Sequence, residues 1–275
     1  MDADTTRQRI DAAWRERYGQ GAAPEALPWN DTIALLMRHH SVRAYKPDPV
    51  PEGTLPLLVA AAQSAATSSN MQTWSVVAVS DPGTRAKLAA IAANQKHVEQ
   101  CPLFLVFLAD LSRAGRIGER IGQPMENLPY FETFLVASID AALAAQNAVV
   151  AAESLGLSTL YIGALRNDPE GVATALGLPP GAMGVFGLCV GYADRDVPAG
   201  IRPRLPQAAV FHDERYDAGV DADLLASYDA TFEGSRHGGG GSWTDRVRNR
   251  LGRISQLAGR DGLKPALRRM GFPLK

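Results

Sequence analysis

Apolar positions along the chain change their spacing several times, and each change marks an element. Ile10, Ala13, Trp14 and Tyr18 recur every three or four residues, which predicts a helix over 5–18 that breaks between Gly19 and Pro28. A short helix is predicted over Ile33–Met37, with Asp31 as its cap. Pro47, Pro49 and Pro51 mark a turn, Leu55–Ala66 reads as an Ala/Leu-rich helix, and Thr67-Ser68-Ser69-Asn70 reads as a polar loop. Trp74–Val79, Leu103–Ala109, Thr159–Gly163 and Val185–Tyr192 are apolar runs of strand length. Pro82 starts a helix through Ala93, and Pro169 starts one through Leu176. Residues 111–128 show no clear period.

The longest apolar stretch, Phe134–Ala152, lies in a predicted helix over Phe131–Leu155 that Gly156 closes. Asp140, Gln146 and Asn147 sit near its centre, where a membrane span would not readily hold them, so a long buried helix is expected. The chain is helical again from Asp221, with an interruption at Gly238-Gly239-Gly240-Gly241-Ser242. That run reads as a flexible linker, since it follows no strand and lacks the Lys-Ser/Thr of a phosphate loop. Trp243–Lys275 is basic and amphipathic, an arm for a partner subunit or for its own domain. Strands and helices alternate without a regular βαβ rhythm, which predicts an α+β fold with one sheet flanked by helices. The expected divisions are an N-terminal extension (1–29), a main domain (30–230) and a C-terminal loop and helical arm (231–275).

The 275 residues are 46% hydrophobic and 21% charged with a formal net charge of -1, so no strong field points to nucleic acid or an anionic membrane. The N-terminus carries acids and no apolar core, which argues against a secretory signal and for the cytoplasm. Cys101 and Cys189 lack metal or redox spacing and read as inert buried thiols. The five histidines show no metal-ligand spacing, no GxSxG elbow occurs, and no GxGxxG follows a strand. Nothing reads as a side-chain nucleophile or an acid/base pair, so an enzyme with this inventory takes its chemistry from a bound cofactor.

Four segments could bind one. Arg38-His39-His40-Ser41-Val42-Arg43 and Arg202-Pro203-Arg204 are basic clusters suited to a phosphate. The loop Ser68-Ser69-Asn70-Met71-Gln72 offers amides and hydroxyls to a heteroaromatic edge. Gly163, at a strand end within Tyr161-Ile162-Gly163-Ala164-Leu165-Arg166, lets backbone approach a planar ligand.

In order along the chain, His39-His40-Ser41-Val42-Arg43, Ser68-Ser69-Asn70-Met71-Gln72, Gln95-Lys96-His97-Val98, Ala145-Gln146-Asn147-Ala148, Ala152-Glu153-Ser154-Leu155-Gly156, Tyr161–Asn167, Phe186–Gly191 and Arg202–Pro206 resemble the FMN-dependent nitroreductase superfamily. Within it the chain is similar to the group of the oxygen-insensitive NADPH nitroreductase and the NADPH-flavin reductase, over roughly 30–260. The resemblance implies a nitroreductase-like sheet flanked by helices in a domain-swapped homodimer, with FMN at the subunit interface. It implies that His39, His40, Ser41, Arg202 and Arg204 surround the FMN phosphate and ribityl chain. Arg43 would lie at the N1–C2 carbonyl edge, Ser68, Ser69, Asn70 and Gln72 would reach the ribityl or ring edge, and Gln95 would reach the pyrimidine side. Tyr161, Ile162, Gly163, Ala164 and Leu165 would line the ring, with a backbone N–H near N5. The helix containing Gln146 would lie in the dimer core.

The implied activity is ping-pong hydride transfer from NADPH or NADH to a nitroaromatic, a quinone or a flavin, with flavin N5 rather than a side chain carrying the chemistry. A dedicated pathway flavoenzyme of the same fold, or a non-catalytic FMN carrier or sensor, is the alternative. His40 stands where the family usually has arginine, so FMN affinity is expected to weaken as pH rises. The loop after Tyr228 is shorter than in close relatives and leaves Arg236 and His237 as the candidates for NAD(P)H. Substrate choice is expected from loops near 111–130 and 231–242.

Overall fold

The computed structural model describes residues 3–19, 21–219, 222–235 and 241–275. In chain order the helices are α1 (Ala3–Tyr18), α2 (Asp31–Arg38), α3 (Thr54–Gln63), α4 (Pro82–Ile91), α5 (His97–Gln100), α6 (Ser112–Ile121), α7 (Phe131–Ser154), α8 (Pro169–Leu176), α9 (Ala222–Gly234), α10 (Trp243–Leu251) and α11 (Leu263–Arg269). The strands are β1 (Trp74–Val79), β2 (Leu103–Asp110), β3 (Ser158–Ile162) and β4 (Ala182–Gly191). The chain forms two compact units that interleave in sequence: a sheet unit of residues 41–198 and 257–275, and a helical unit from residues 1–40 and 199–256.

In the sheet unit the strand order is β1-β2-β4-β3 and every pairing is antiparallel, which settles the expected antiparallel or mixed sheet. β2 is central because its side chains are buried continuously from Phe104 to Asp110, as a strand covered on both faces requires. Leu105 and Phe107 point to one face and pack with Leu58 and Ala62 of α3 and Ala141, Ala144 and Ala148 of α7. α8 covers the other face, where a Cβ at Gly184 would lie 3.0 Å from Val172 and 3.3 Å from Val106, a tight fit between α8 and the sheet.

Alanines at 137, 141, 144, 145, 148 and 152 form the buried stripe of α7. Their small side chains let α7 lie close to α3, and Asn147 Nδ2 donates to the Ala61 carbonyl at 3.1 Å. The expected long buried helix is buried on this face only. Leu135, Ile139 and Leu143, four residues apart, are 40%, 49% and 43% exposed. α7 is long and apolar enough to cross a membrane by length and composition alone.

Three local expectations are corrected. The cap of α2 is Asn30, whose side chain accepts from the Ile33 N–H at 2.9 Å, and Asp31 is already helical. Part of 111–128 is the helix α6. Gly118 is what lets the chain turn back after it, since a Cβ there would lie 2.8 Å from the Gln123 carbonyl. The C-terminal arm is not one amphipathic helix. α10 ends at Leu251 in the helical unit, while Leu267, Met270, Phe272 and Leu274 are buried with Leu111 and Met183 in the sheet unit. Lys275 closes that packing, its N–H donating to Pro129 O at 2.9 Å.

In the helical unit α1 packs on α2, and α9 packs on α10. The segment after α1 folds back on it: Arg7 donates to Ala23 O and Pro24 O at 2.5 and 2.7 Å, and Asp11 accepts from the Ala23 N–H at 3.2 Å. Tyr228 and Phe232 are the buried residues of α9, and Trp243 meets Tyr228 edge-on at 5.6 Å.

Candidate functional site

In the sheet unit, residues 41–46 run along strand edges. The Val42 N–H donates to Thr159 O of β3 at 3.1 Å, and the Lys46 N–H donates to Tyr192 O at 2.9 Å. Val42 and Tyr45 turn inward, which leaves Ser41 and Arg43 exposed. Burial, and then the nearby Arg43 guanidinium, hold the His97 imidazole below its ordinary range. His97 Nε2 lies 2.8 Å from Gln95 Oε1, an acceptor, so that ring nitrogen carries the proton and donates. The Gln95 carbonyl is thereby engaged by His97, and its amide N–H groups remain as donors.

The turn after α3 has a second architecture. Ser69, Asn70 and Gln72 all adopt the left-handed region, with φ of 49°, 55° and 52°. Such residues need outside support, and Asp140 of α7 supplies it. Its Oδ2 accepts from Thr67 Oγ1 at 2.6 Å, Thr73 Oγ1 at 2.9 Å and the Thr73 N–H at 3.1 Å, and its Oδ1 accepts from the Ser68 N–H at 3.2 Å. Arg113 completes the turn by donating to Gln72 O at 2.8 Å and Ser75 Oγ at 2.9 Å. Asp110, beside it, loses solvation by burial, yet hydrogen bonds from Ser112 and Ser75 and the Arg113 charge outweigh that and keep its carboxyl below the usual range. Ser68, Ser69, Asn70 and Gln72 are left exposed on a rigid support.

At the end of β3, Ile162, Ala164 and Leu165 are buried, so their side chains serve the core and only backbone there can meet a ligand. Tyr161 packs edge-on against Phe186 at 5.0 Å, with its hydroxyl 3.4 Å from Gln146 Oε1. Burial raises its pKa above the usual phenol range. A Cβ at Gly163 would lie 3.2 Å from the Arg166 guanidinium, so a side chain there would crowd Arg166.

In the helical unit the two basic segments are tied together by a residue that sequence reasoning passed over. Arg17 of α1, 6% exposed, donates through Nη2 to Met37 O at 2.6 Å and His39 O at 2.9 Å, and through Nη1 to Arg202 O at 3.4 Å. The Arg204 N–H donates back to Arg17 O at 2.8 Å. Pro203 is buried and its carbonyl accepts from Tyr228 Oη at 2.9 Å, while Arg202 and Arg204 are exposed on either side. A cavity of about 430 Å³ is lined by Arg202, Arg204, Tyr228, Phe232, Trp243 and Arg246, with the Arg246 guanidinium 4.7 Å above the Phe232 ring.

The structure therefore brings His39, His40, Arg202 and Arg204 together within the helical unit. Within the sheet unit it places Arg43 near His97, which bonds Gln95, and it gathers Ser68, Ser69, Asn70 and Gln72 in one turn. Arg236 and His237 lie outside the described residues. Among the described residues no group of His, Cys, Asp and Glu could hold a metal ion. Asp140, Arg113 and Arg17 were missed. A carboxylate in an otherwise apolar helix was the available signal for Asp140, and no pattern in the sequence marks Arg17.

The nitroreductase family model matches residues 36–192, and the model of that family's C-terminal domain matches 202–275. The chain is 37% identical over 231 residues to the FMN reductase (NADPH) of Bacillus subtilis, covering 80% of this chain and 91% of that protein. It is 39% identical over 198 residues to the oxygen-insensitive NADPH nitroreductase of Salmonella typhimurium, covering 72% and 79%. The solved structure of the NfrA1 nitroreductase from B. subtilis superposes with a TM-score of 0.78 at 35% identity, over 86% of this chain and 98% of that one. With both family models matched in sequence and a nitroreductase matched in three dimensions, the chain belongs to the nitroreductase family.

Proposed function

We propose that the protein is an FMN-dependent NAD(P)H oxidoreductase that reduces nitroaromatics, quinones or flavins by two-electron transfer, acting as a homodimer in the cytoplasm. The observation that carries this reading is the pair of basic segments, His39-His40 and Arg202–Arg204, held together through one buried guanidinium. Half-buried imidazoles and exposed guanidiniums on a fixed backbone are a donor set that suits a phosphomonoester. The residues of the sheet unit suit the rest of FMN, a polar-edged heteroaromatic ring and a hydroxylated chain.

When bound, FMN supplies the redox chemistry, accepting hydride from NADPH or NADH and delivering two electrons to the acceptor. The protein's own groups bind and orient. His39, His40, Ser41, Arg202 and Arg204 hold the phosphate. Arg43 supplies a cation, and Gln95, its carbonyl engaged by His97, supplies N–H donors for acceptors along the ring edge. Ser68, Ser69, Asn70 and Gln72 offer hydroxyls and amides on a turn that Asp140 keeps from collapsing. Tyr161 and the backbone of 162–165 meet the ring, and no side-chain nucleophile takes part. Arg236 and His237 are the proposed NAD(P)H contacts, so few that both nicotinamide cofactors are accepted. The exposed Leu135, Ile139 and Leu143 stripe of α7 supports the homodimer.

Anaerobic stopped-flow absorbance tests the reading. The purified protein should carry bound FMN that NADPH or NADH bleaches and that a nitroaromatic or quinone restores. Bound flavin that neither nicotinamide bleaches would overturn the reductase reading in favour of a carrier.

A further inference from the structure

We propose that Arg17, on the appended helix α1, is a positioning residue for phosphate binding: it fixes the 37–40 and 202–204 backbones so that the His40 N–H and the exposed Arg202 and Arg204 side chains face the anion. This rests on the phosphate reading of the basic segments given above.

Arg17 precedes both stretches that the family models match. Its Nη2 serves the carbonyls of Met37 and His39, the last turn of α2 and the residue beyond it, and its Nη1 serves the carbonyl of Arg202. Its own carbonyl accepts from Arg204. Two segments about 160 residues apart in sequence are thus joined through one side chain and its own peptide. The described residues contain no cis peptide bond, and in a planar trans peptide the C=O and N–H point in opposite directions. Turning the His39 carbonyl toward Arg17 therefore turns the His40 N–H away from it, to the side where an anion would be received. Pro203 has no N–H to misdirect, and its fixed φ holds Arg202 and Arg204 on either side of a buried pivot.

The arrangement does more than finish α2. Capping that helix accounts for the bonds to Met37 and His39, and it accounts for neither bond to 202–204. Burial, and then the neighbouring Arg204, both disfavour the charge on Arg17. Three carbonyl dipoles offset that, and a lysine could not span them, because a single ammonium lacks the planar fork.

The test compares FMN with riboflavin, which has the same ring and ribityl chain without the phosphate. Full-length apoprotein of the wild type, Arg17→Lys and Arg17→Gln is titrated with each flavin by fluorescence quenching, and thermal melts confirm folding. The wild type should bind FMN far more tightly than riboflavin. Both variants should lose about tenfold or more in FMN affinity while riboflavin affinity moves less than about twofold. A general packing defect would weaken both flavins equally and overturn the proposal. So would folded variants that keep the wild-type ratio, or a lysine variant that keeps it while glutamine loses it, since charge alone would then suffice. If Arg17→Gln does not fold, Arg17→Lys, which keeps charge and near-equal length, decides. A wild type with no preference for FMN would instead defeat the phosphate reading itself, and the inference with it.

Discussion

The turn at 67–73 and the basic segments at 37–40 and 202–204 are both held by one buried charge from a distant helix, and the two charges have opposite sign. Asp140 accepts from backbone N–H groups and hydroxyls. Arg17 donates to backbone carbonyls. Because each peptide points its N–H and C=O in opposite directions, the sign of the anchor sets what the segment shows outward. A carboxylate anchor consumes donors: the carbonyl opposite the Thr73 N–H, Gln72 O, turns the other way and is taken by Arg113, and the hydroxyls and side-chain amides of the turn stay exposed. A guanidinium anchor consumes carbonyls and leaves the His40 N–H and the Arg202 and Arg204 side chains outward. The first surface suits hydroxyls and a ring edge, and the second suits an anion.

Removing the carboxylate should give the largest effect. Asp140 is 2% exposed, and Asp140→Ala would leave buried hydroxyl and N–H donors unmet, costing about 3–5 kcal/mol in urea unfolding. Affinity for FMN and riboflavin should fall together, in contrast with the Arg17 variants. A cost below about 1 kcal/mol would mean that something other than Asp140 supports the turn. Arg113→Ala comes next. It removes bonds to Gln72 O and Ser75 Oγ on an exposed side, so about 1 kcal/mol and faster hydrogen exchange over 68–75 are expected.

A smaller effect should appear with pH. The folded state holds the His97 pKa below 6.5, so on acidification the unfolded chain takes up a proton that the native state refuses. Stability should therefore fall as pH drops below about 6.5 and level off below the depressed value, and His97→Gln should flatten that part of a urea-midpoint profile. Ser69→Gly should have the least effect. Relief of a left-handed residue, about 1–2 kcal/mol, is largely cancelled by glycine's backbone entropy, leaving a melting temperature within a few degrees of the wild type.

Regions with a strong local pattern were legible in the sequence. β1 and α8 fall where predicted, because one is an apolar β-branched run and the other opens on Asp168 and Pro169, a cap and a first-turn proline. β4 begins earlier than expected, at Ala182. Ala182 and Met183 pair with Asp110 and Ala109, a long-range reason that overrides the weak strand propensity around Gly184. α6 was hidden by Gly115 and Gly118. At the candidate site, the segments that could touch a ligand were visible through the family resemblance and the residues that hold them were not. Asp140 is 67 to 73 positions from the groups it binds, and Arg17 is 20 to 185 positions from its carbonyls, so no window of sequence contains either arrangement.

The distance between Thr67 and Asp140 also has a consequence in time. A ribosome adding about 5–20 residues per second makes Thr67 several seconds before the carboxylate 73 positions later exists. During that interval Ser69, Asn70 and Gln72 have no buried partner to offset their left-handed backbone, and a nascent chain stalled short of α7 would carry the segment's full sequence without its shape. The turn is encoded early and acquires its form late, when the helix that holds it has emerged.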